Sequence, residues 1–155
     1  IDLDFSNGSM LDAKFINIGN DAIDFSGSNA ELRNIYFETV GDKLISIGEN
    51  SNVSISNIDA QKSLIGIASK DGSTVRAADI IMRNVKLPFL SFNKKFEYQP
   101  AIIYLTDIKI SQFQEKWLTD KKSKIYHNGS KVGKISNNII PIVYERNLNL
   151  LNKTN

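Results

Sequence analysis

Gly19-Asn20-Asp21-Ala22-Ile23-Asp24-Phe25 lies over Gly41-Asp42-Lys43-Leu44-Ile45-Ser46-Ile47 at a spacing of 22 residues. A second step of 22 reaches Ser63-Leu64-Ile65-Gly66-Ile67-Ala68-Ser69. Ile23, Ile45 and Ile67 thus form one column, which Phe89 continues at the same spacing; Phe15 likewise stands 22 residues before Phe37. Self-similarity at such a period marks a solenoid or array, in which each repeat buries its apolar face only by stacking on the next.

A second stretch recurs in every repeat. It reads Ala30-Glu31-Leu32-Arg33-Asn34-Ile35, then Val53-Ser54-Ile55-Ser56-Asn57-Ile58, then Val75-Arg76-Ala77-Ala78-Asp79-Ile80. The next copy, Ile103-Tyr104-Leu105-Thr106-Asp107-Ile108, comes 28 residues on, so six residues are inserted, near residues 93–100. Val53, Ile55 and Ile58 alternate with Ser54 and Ser56, the period of a strand with one buried face. Gly, Asn, Ser and Asp gather between the stretches, where turns need them. Leucine-rich repeats have a similar length, but their Leu-x-x-Leu-x-Leu signature is absent. The pattern predicts an all-β fold, a right-handed parallel β-helix of about five coils of about 22 residues. Coils stack at roughly 4.8 Å, so the Ile23, Ile45 and Ile67 column becomes an internal ladder. The Asn34, Asn57 and Asp79 column reads either as a corner that bonds neighbouring backbone or as an outward ligand row.

Composition fits one domain. The chain has 155 residues, 41% hydrophobic and 23% charged, with net charge +2. The apolar share suffices for a core, and the charge is too small to argue for nucleic acid. Without cysteine there is no disulfide, Cys-ligated metal or Cys nucleophile. The charge is uneven: residues 1–80 carry 12 acidic and 6 basic side chains, net −6, and residues 81–155 carry 5 and 13, net +8. The chain begins Ile1-Asp2-Leu3 with no signal-peptide pattern, and reads as a piece of a longer or processed protein whose other domains are expected partners. Apolar runs such as residues 139–143 are too short to insert in a membrane and are broken by Pro141.

Asp21-Ala22-Ile23-Asp24-Phe25-Ser26-Gly27-Ser28, Gly41-Asp42-Lys43-Leu44-Ile45-Ser46-Ile47-Gly48-Glu49 and Gly66-Ile67-Ala68-Ser69-Lys70-Asp71-Gly72-Ser73 resemble successive coils of bacterial right-handed parallel β-helix proteins. They are similar to the pectate-lyase-like repeat regions found beside spore-coat-kinase-like (CotH-like) modules in cell-surface proteins. Lys94-Lys95-Phe96-Glu97-Tyr98 looks like a loop following those coils. The likeness covers roughly residues 3–110. It implies a secreted or cell-surface location, and it implies fold more than activity, because such scaffolds serve lyases, hydrolases, adhesins and spacers.

A lyase on this scaffold needs clustered acids to hold Ca²⁺ or neutralise a uronate, plus a Lys or Arg base. The candidate acids are Asp21, Asp24, Asp42, Glu49 and Asp71, and the candidate bases Lys43, Lys70 and Lys94. Asp24 stacks on Ser46 and then Ala68, so that column does not keep its charge. Glu49 and Asp71 stand 22 apart and could face each other as a Ca²⁺ site or form a solvated corner; otherwise no cofactor is expected. Lys70-Asp71 reads as a ligand contact or a local ion pair of little worth when exposed. Lys94, Lys95, Phe96, Glu97 and Tyr98 form the better ligand candidate, because a long loop on a rigid scaffold is where binding resides and aromatics stack on sugars. His127, the sole histidine, has no Gly-x-Ser-x-Gly elbow to serve. Trp117, the sole tryptophan, reads as cover for the end of the solenoid.

After Ser111 the repeat fades. Residues 111–155 read as an irregular last coil and C-terminal β cap, with a hairpin turning at Asn128-Gly129, a strand over residues 139–144, and Leu148, Leu150 and Leu151 before a polar tail. Capping would protect an open sheet edge; the Lys-rich residues 115–124 could instead bind an anionic polymer. The expected function is a non-catalytic solenoid of a bacterial surface or secreted protein that spaces, displays or binds carbohydrate. The alternative is a polysaccharide lyase working in a groove on the side of the helix, and a third reading has the N-terminal coil docking on another domain or chain.

Overall fold

A computed structural model describes residues 1–145, so Leu148, Leu150 and Leu151 lie outside the described residues. The chain is a parallel β-solenoid of about six coils. Strands β1 (Asp2–Asp4), β2 (Asn7–Ile18) and β3 (Ile23–Ser26) lead into three long strands, β4 (Asn29–Gly48), β5 (Asn52–Lys70) and β6 (Thr74–Phe92). β7 (Ile102–Ser111), β8 (Trp117–Thr119) and β9 (Lys124–His127) continue the stack. β10 (Ser130–Val132), β11 (Lys134–Ile135) and helix α1 (Ile139–Tyr144) complete it.

Single left-handed residues bend each long strand twice. Asn34 and Thr39 break β4, Asn57 and Lys62 break β5, and Asp79 and Asn84 break β6, all at φ between 53° and 64°. Each coil thereby gains three straight segments, called here faces A, B and C in chain order. Asn and Asp serve the first corner because their short polar side chains tolerate this conformation. That corner carries a ladder of side chains bonded to each other rather than to backbone. Asn57 Nδ2 donates to Asn34 Oδ1 at 2.8 Å, and Asn34 Nδ2 to Asp12 Oδ1 at 2.8 Å.

The register is the one the repeats predict. Ile23 pairs with Ile45, Ile45 with Ile67, and Ile67 with Phe89, and none of the four is exposed to solvent. On face A, Leu32 stacks on Ile55, then Ala77, then Leu105. On face B, Phe15 stacks on Phe37 with ring centroids 5.2 Å apart. Each fully buried Ile, Leu or Phe contributes about 1.5–3 kcal/mol, and identical columns repeat that gain coil after coil. A column of serines lines the corner between faces C and A. Ser28 Oγ accepts from Ser6 N–H at 2.9 Å, Ser51 Oγ from Ser28 N–H at 2.9 Å, and Ser73 Oγ from Ser51 N–H at 3.2 Å. These hydroxyls satisfy turn amides that no strand partner reaches.

The insertion lies where expected. β6 pairs with β7 at a spacing of 28 instead of 22, and residues 93–100 stand out from the corner between faces C and A. The count reaches about six coils because β8 pairs in parallel with β6, and β9 with β7, which carries the coil register past Ser111. β9 and β10 then form the antiparallel hairpin at Asn128-Gly129. Trp117 stacks on Phe89 at 6.0 Å, as cover for the last layer.

Residues 139–144 are a helix, not the expected strand. Pro141 cannot donate to a sheet ladder, but it fits the first turn of a helix, where amides lack partners anyway. Ile139, Ile142 and Val143 then fall on one buried side, at helical spacing. They pack on an apolar strip on the outside of face C, formed by Ile65, Ala68, Leu87, Leu90, Phe92 and Leu118. The same outer face is polar in the lower coils, where Asp24 pairs with Ser46 and Ser46 with Ala68.

Candidate functional site

The corner between faces C and A gathers most of the residues singled out above. In β5, Lys70 is followed by Asp71 and Gly72, both left-handed, with φ of 53° and 77°. A Cβ on Gly72 would meet Asn50 Oδ1 at 2.1 Å, so only glycine lets this turn nest against the turn below. The tight turn directs the Asp71 carboxylate, almost fully buried, into the root of the insertion. There its Oδ1 accepts the backbone N–H groups of Lys94 and Lys95, each at 2.7 Å.

Asn93 fixes the other side of the loop. Its N–H donates to Asp120 Oδ2 at 2.7 Å, and its Nδ2 donates to the carbonyls of Tyr98 and Gln99 at 2.8 and 2.9 Å. Its Oδ1 accepts from Ala101 N–H at 3.2 Å. The loop is therefore tied at its root by two side chains and closed across its own neck. Phe96 at its tip is 98% exposed.

Two depressions flank this loop. On one side a cleft of about 520 Å³ is lined by Lys94, Phe96, Glu97 and Tyr98 together with Asp120, Lys121, Lys122 and Ile140. On the other side a polar groove runs down the corner past Lys94, Lys95, Asp71, Lys70, Glu49 and Asp24 to Asp4 and Asp2. All seven residues expected to bind ligand thus line one side or the other of a single loop. Asp24, one of the candidate acids, joins them in the groove, and Asn93 and Asp120 join from outside the candidates. Asp120 was hidden because the 28-residue step carries it 27 positions from Asn93, off the repeat.

Two of the lysines in the groove are paired with carboxylates. Lys95 Nζ donates to Glu49, and that hydrogen bond, helped by another from Ser26, holds the Glu49 carboxyl below its ordinary range. The same bond holds the Lys95 ammonium above its usual value. Lys70 Nζ lies 3.8 Å from Asp24 Oδ1 rather than on its neighbour Asp71. Lys94 Nζ sits 4.5 Å from the ring centroid of Tyr144. The expected Glu49 and Asp71 metal pair is engaged otherwise: Glu49 holds an ammonium and Asp71 holds amides. Among the described residues, no group of three or more His, Asp or Glu side chains is placed to hold a metal ion. His127 packs 5.5 Å from the Trp117 ring at the last layer.

No family model, curated protein or solved structure matches the chain.

Proposed function

We propose that the protein is a non-catalytic solenoid of a bacterial surface or secreted protein, which displays the loop at residues 93–100 as a carbohydrate-binding edge. The observation that carries this reading is Phe96, an aromatic ring left fully in solvent on a loop whose root is fixed by Asp71 and Asn93. A free ring on a mobile loop would lose ordering entropy on binding, whereas a fixed loop loses little. Apolar sugar faces stack on such rings, and Lys94, Glu97, Lys121 and Lys122 around the cleft offer donors and acceptors for hydroxyl or uronate groups.

A polysaccharide lyase acting in the corner groove is the alternative, favoured by the line of carboxylates and lysines there. Proton abstraction needs an amine that is neutral near the working pH. Lys95 is driven the other way by Glu49, Lys70 is paired with Asp24, and Lys94 lies over the Tyr144 ring, which favours its charged form, so the binding reading has the better support. A panel of neutral and uronate-containing polysaccharides, read for binding and for unsaturated products with and without Ca²⁺, tests the choice. Binding without product supports the proposal. Unsaturated product, or a panel with no binder, overturns it.

A further inference from the structure

The outside of face C holds a second cluster, below the apolar strip that α1 covers. Lys43 is almost fully buried, and its Nζ lies 3.3 Å from Asp21 Oδ1 and 2.7 Å from Asp42 Oδ2. The two aspartates are themselves only 15% and 14% exposed. The Tyr144 ring lies above, 5.8 Å from the ammonium. Adjacent strand residues normally point to opposite faces, but β4 slips register between Val40 and Lys43, which lets Asp42 and Lys43 share one side. Gly41 completes the arrangement: a Cβ there would meet Gly19 O at 2.3 Å, so glycine brings the second coil against the first beside Asp21.

As an ion pair this cluster is poorly made. Two carboxylates face one ammonium, and the buried Asp42 Oδ1 has no hydrogen-bond partner among the described residues. Buried charges without full pairing are costly. Burial is the largest influence on Asp21 and raises its carboxyl above the ordinary range, against the attraction of Lys43. A desolvated amine, a carboxyl and a second carboxylate at hydrogen-bond distance are the parts needed for amide condensation.

From this geometry we infer that Lys43 and Asp21 join in an intramolecular isopeptide bond that covalently staples the first coil to the second, with Asp42 as the proton carrier. Asp42 takes a proton from the Lys43 ammonium. The freed amine attacks Asp21 Cγ, the C–N bond forms, one Cγ–O bond breaks, and the oxygen leaves as water with the protons it needs. The sum is ammonium plus carboxylate giving amide plus water, with no oxidant or reductant. The product removes one buried positive and one buried negative charge and leaves an amide N–H to bond the Asp42 carboxylate. It also ties down the outermost coil, whose β2 has strand pairing on one side only among the described residues. The inference does not depend on the ligand reading.

Intact mass of the purified chain under denaturing conditions tests it, followed by sequencing of its peptides. The expected result is a mass 18 Da below the sequence value and a branched peptide joining Asp21 to Lys43. Lys43→Arg and Asp21→Ala should each restore the full mass, and Asp42→Asn should slow the loss at least tenfold. A cyclised Asp71-Gly72 would also lose 18 Da, but it persists in Lys43→Arg and opens in hydroxylamine. A full-length mass equal to the sequence value overturns the inference. So does a mass loss that survives Lys43→Arg.

Discussion

Asp71 is the residue on which the site turns. Its carboxylate is the acceptor for two backbone amides at the root of the loop, and hydrogen bonds to charged groups are worth more than neutral ones. Asp71→Ala leaves both amides without their acceptor and should cost about 2–3 kcal/mol, read by urea unfolding, and should speed amide exchange across residues 93–100. Asp71→Asn keeps one acceptor oxygen and should cost less. Glu49 gives the pH dependence of the same loop. Its carboxyl is held below its ordinary value in the fold, so its contribution is present above the unfolded-state value and is lost as pH falls through the lowered one. Loop amide exchange should therefore rise in acid, and Glu49→Gln should remove that acid-dependent step while leaving the coils intact.

At the scale of elements, the coils and α1 obey different signals. Ile45→Ala opens a cavity in the central column and should destabilise the solenoid by about 2–5 kcal/mol in thermal or urea unfolding. Ile142→Asp should instead release α1 alone, exposing the strip of Ile65, Leu87 and Leu90 to a hydrophobic dye while the far-ultraviolet signal of the sheet persists. The coils were legible because each column repeats: Ile23, Ile45 and Ile67 state the same instruction three times. The helix was not, because residues 139–144 are apolar and β-branched and satisfy strand propensity, and only Pro141 and the spacing of Ile139, Ile142 and Val143 argue otherwise. The apolar outer strip that calls for it was hidden too. Ile65, Leu87 and Leu90 sit beside inward residues in short apolar runs, where alternation is lost. The loop was legible as a six-residue insertion, and its lysines and aromatics were visible. Its anchors were not: Asn93 continues the Glu49 and Asp71 column at the ordinary step of 22, where nothing marks it as a clasp, and its partner Asp120 lies 27 residues on, off the repeat.

Across the whole molecule, stacking turns sequence position into position along an axis. The acidic residues 1–80 build the lower coils, and most basic residues belong to the later layers and the C-terminal segment. The first coil leaves β2 paired on one side among the described residues, with Phe5 80% exposed and an apolar recess lined by Leu3, Met10, Phe25 and Leu32. In a quasi-one-dimensional structure the ends open before the middle. Amides of β1 and β2 should therefore exchange faster than those of β5 and β6, a gradient that hydrogen exchange resolved by peptide will show.

On the proposed function, the fixed loop at residues 93–100, and not the charged groove beside it, meets the ligand. The direct measurement is calorimetric titration of the best-binding oligosaccharide from the panel into the unaltered protein, Phe96→Ala and Lys70→Ala. Phe96→Ala should weaken binding at least tenfold, and Lys70→Ala should leave it within twofold. Binding that survives Phe96→Ala and is lost with Lys70→Ala would contradict this reading.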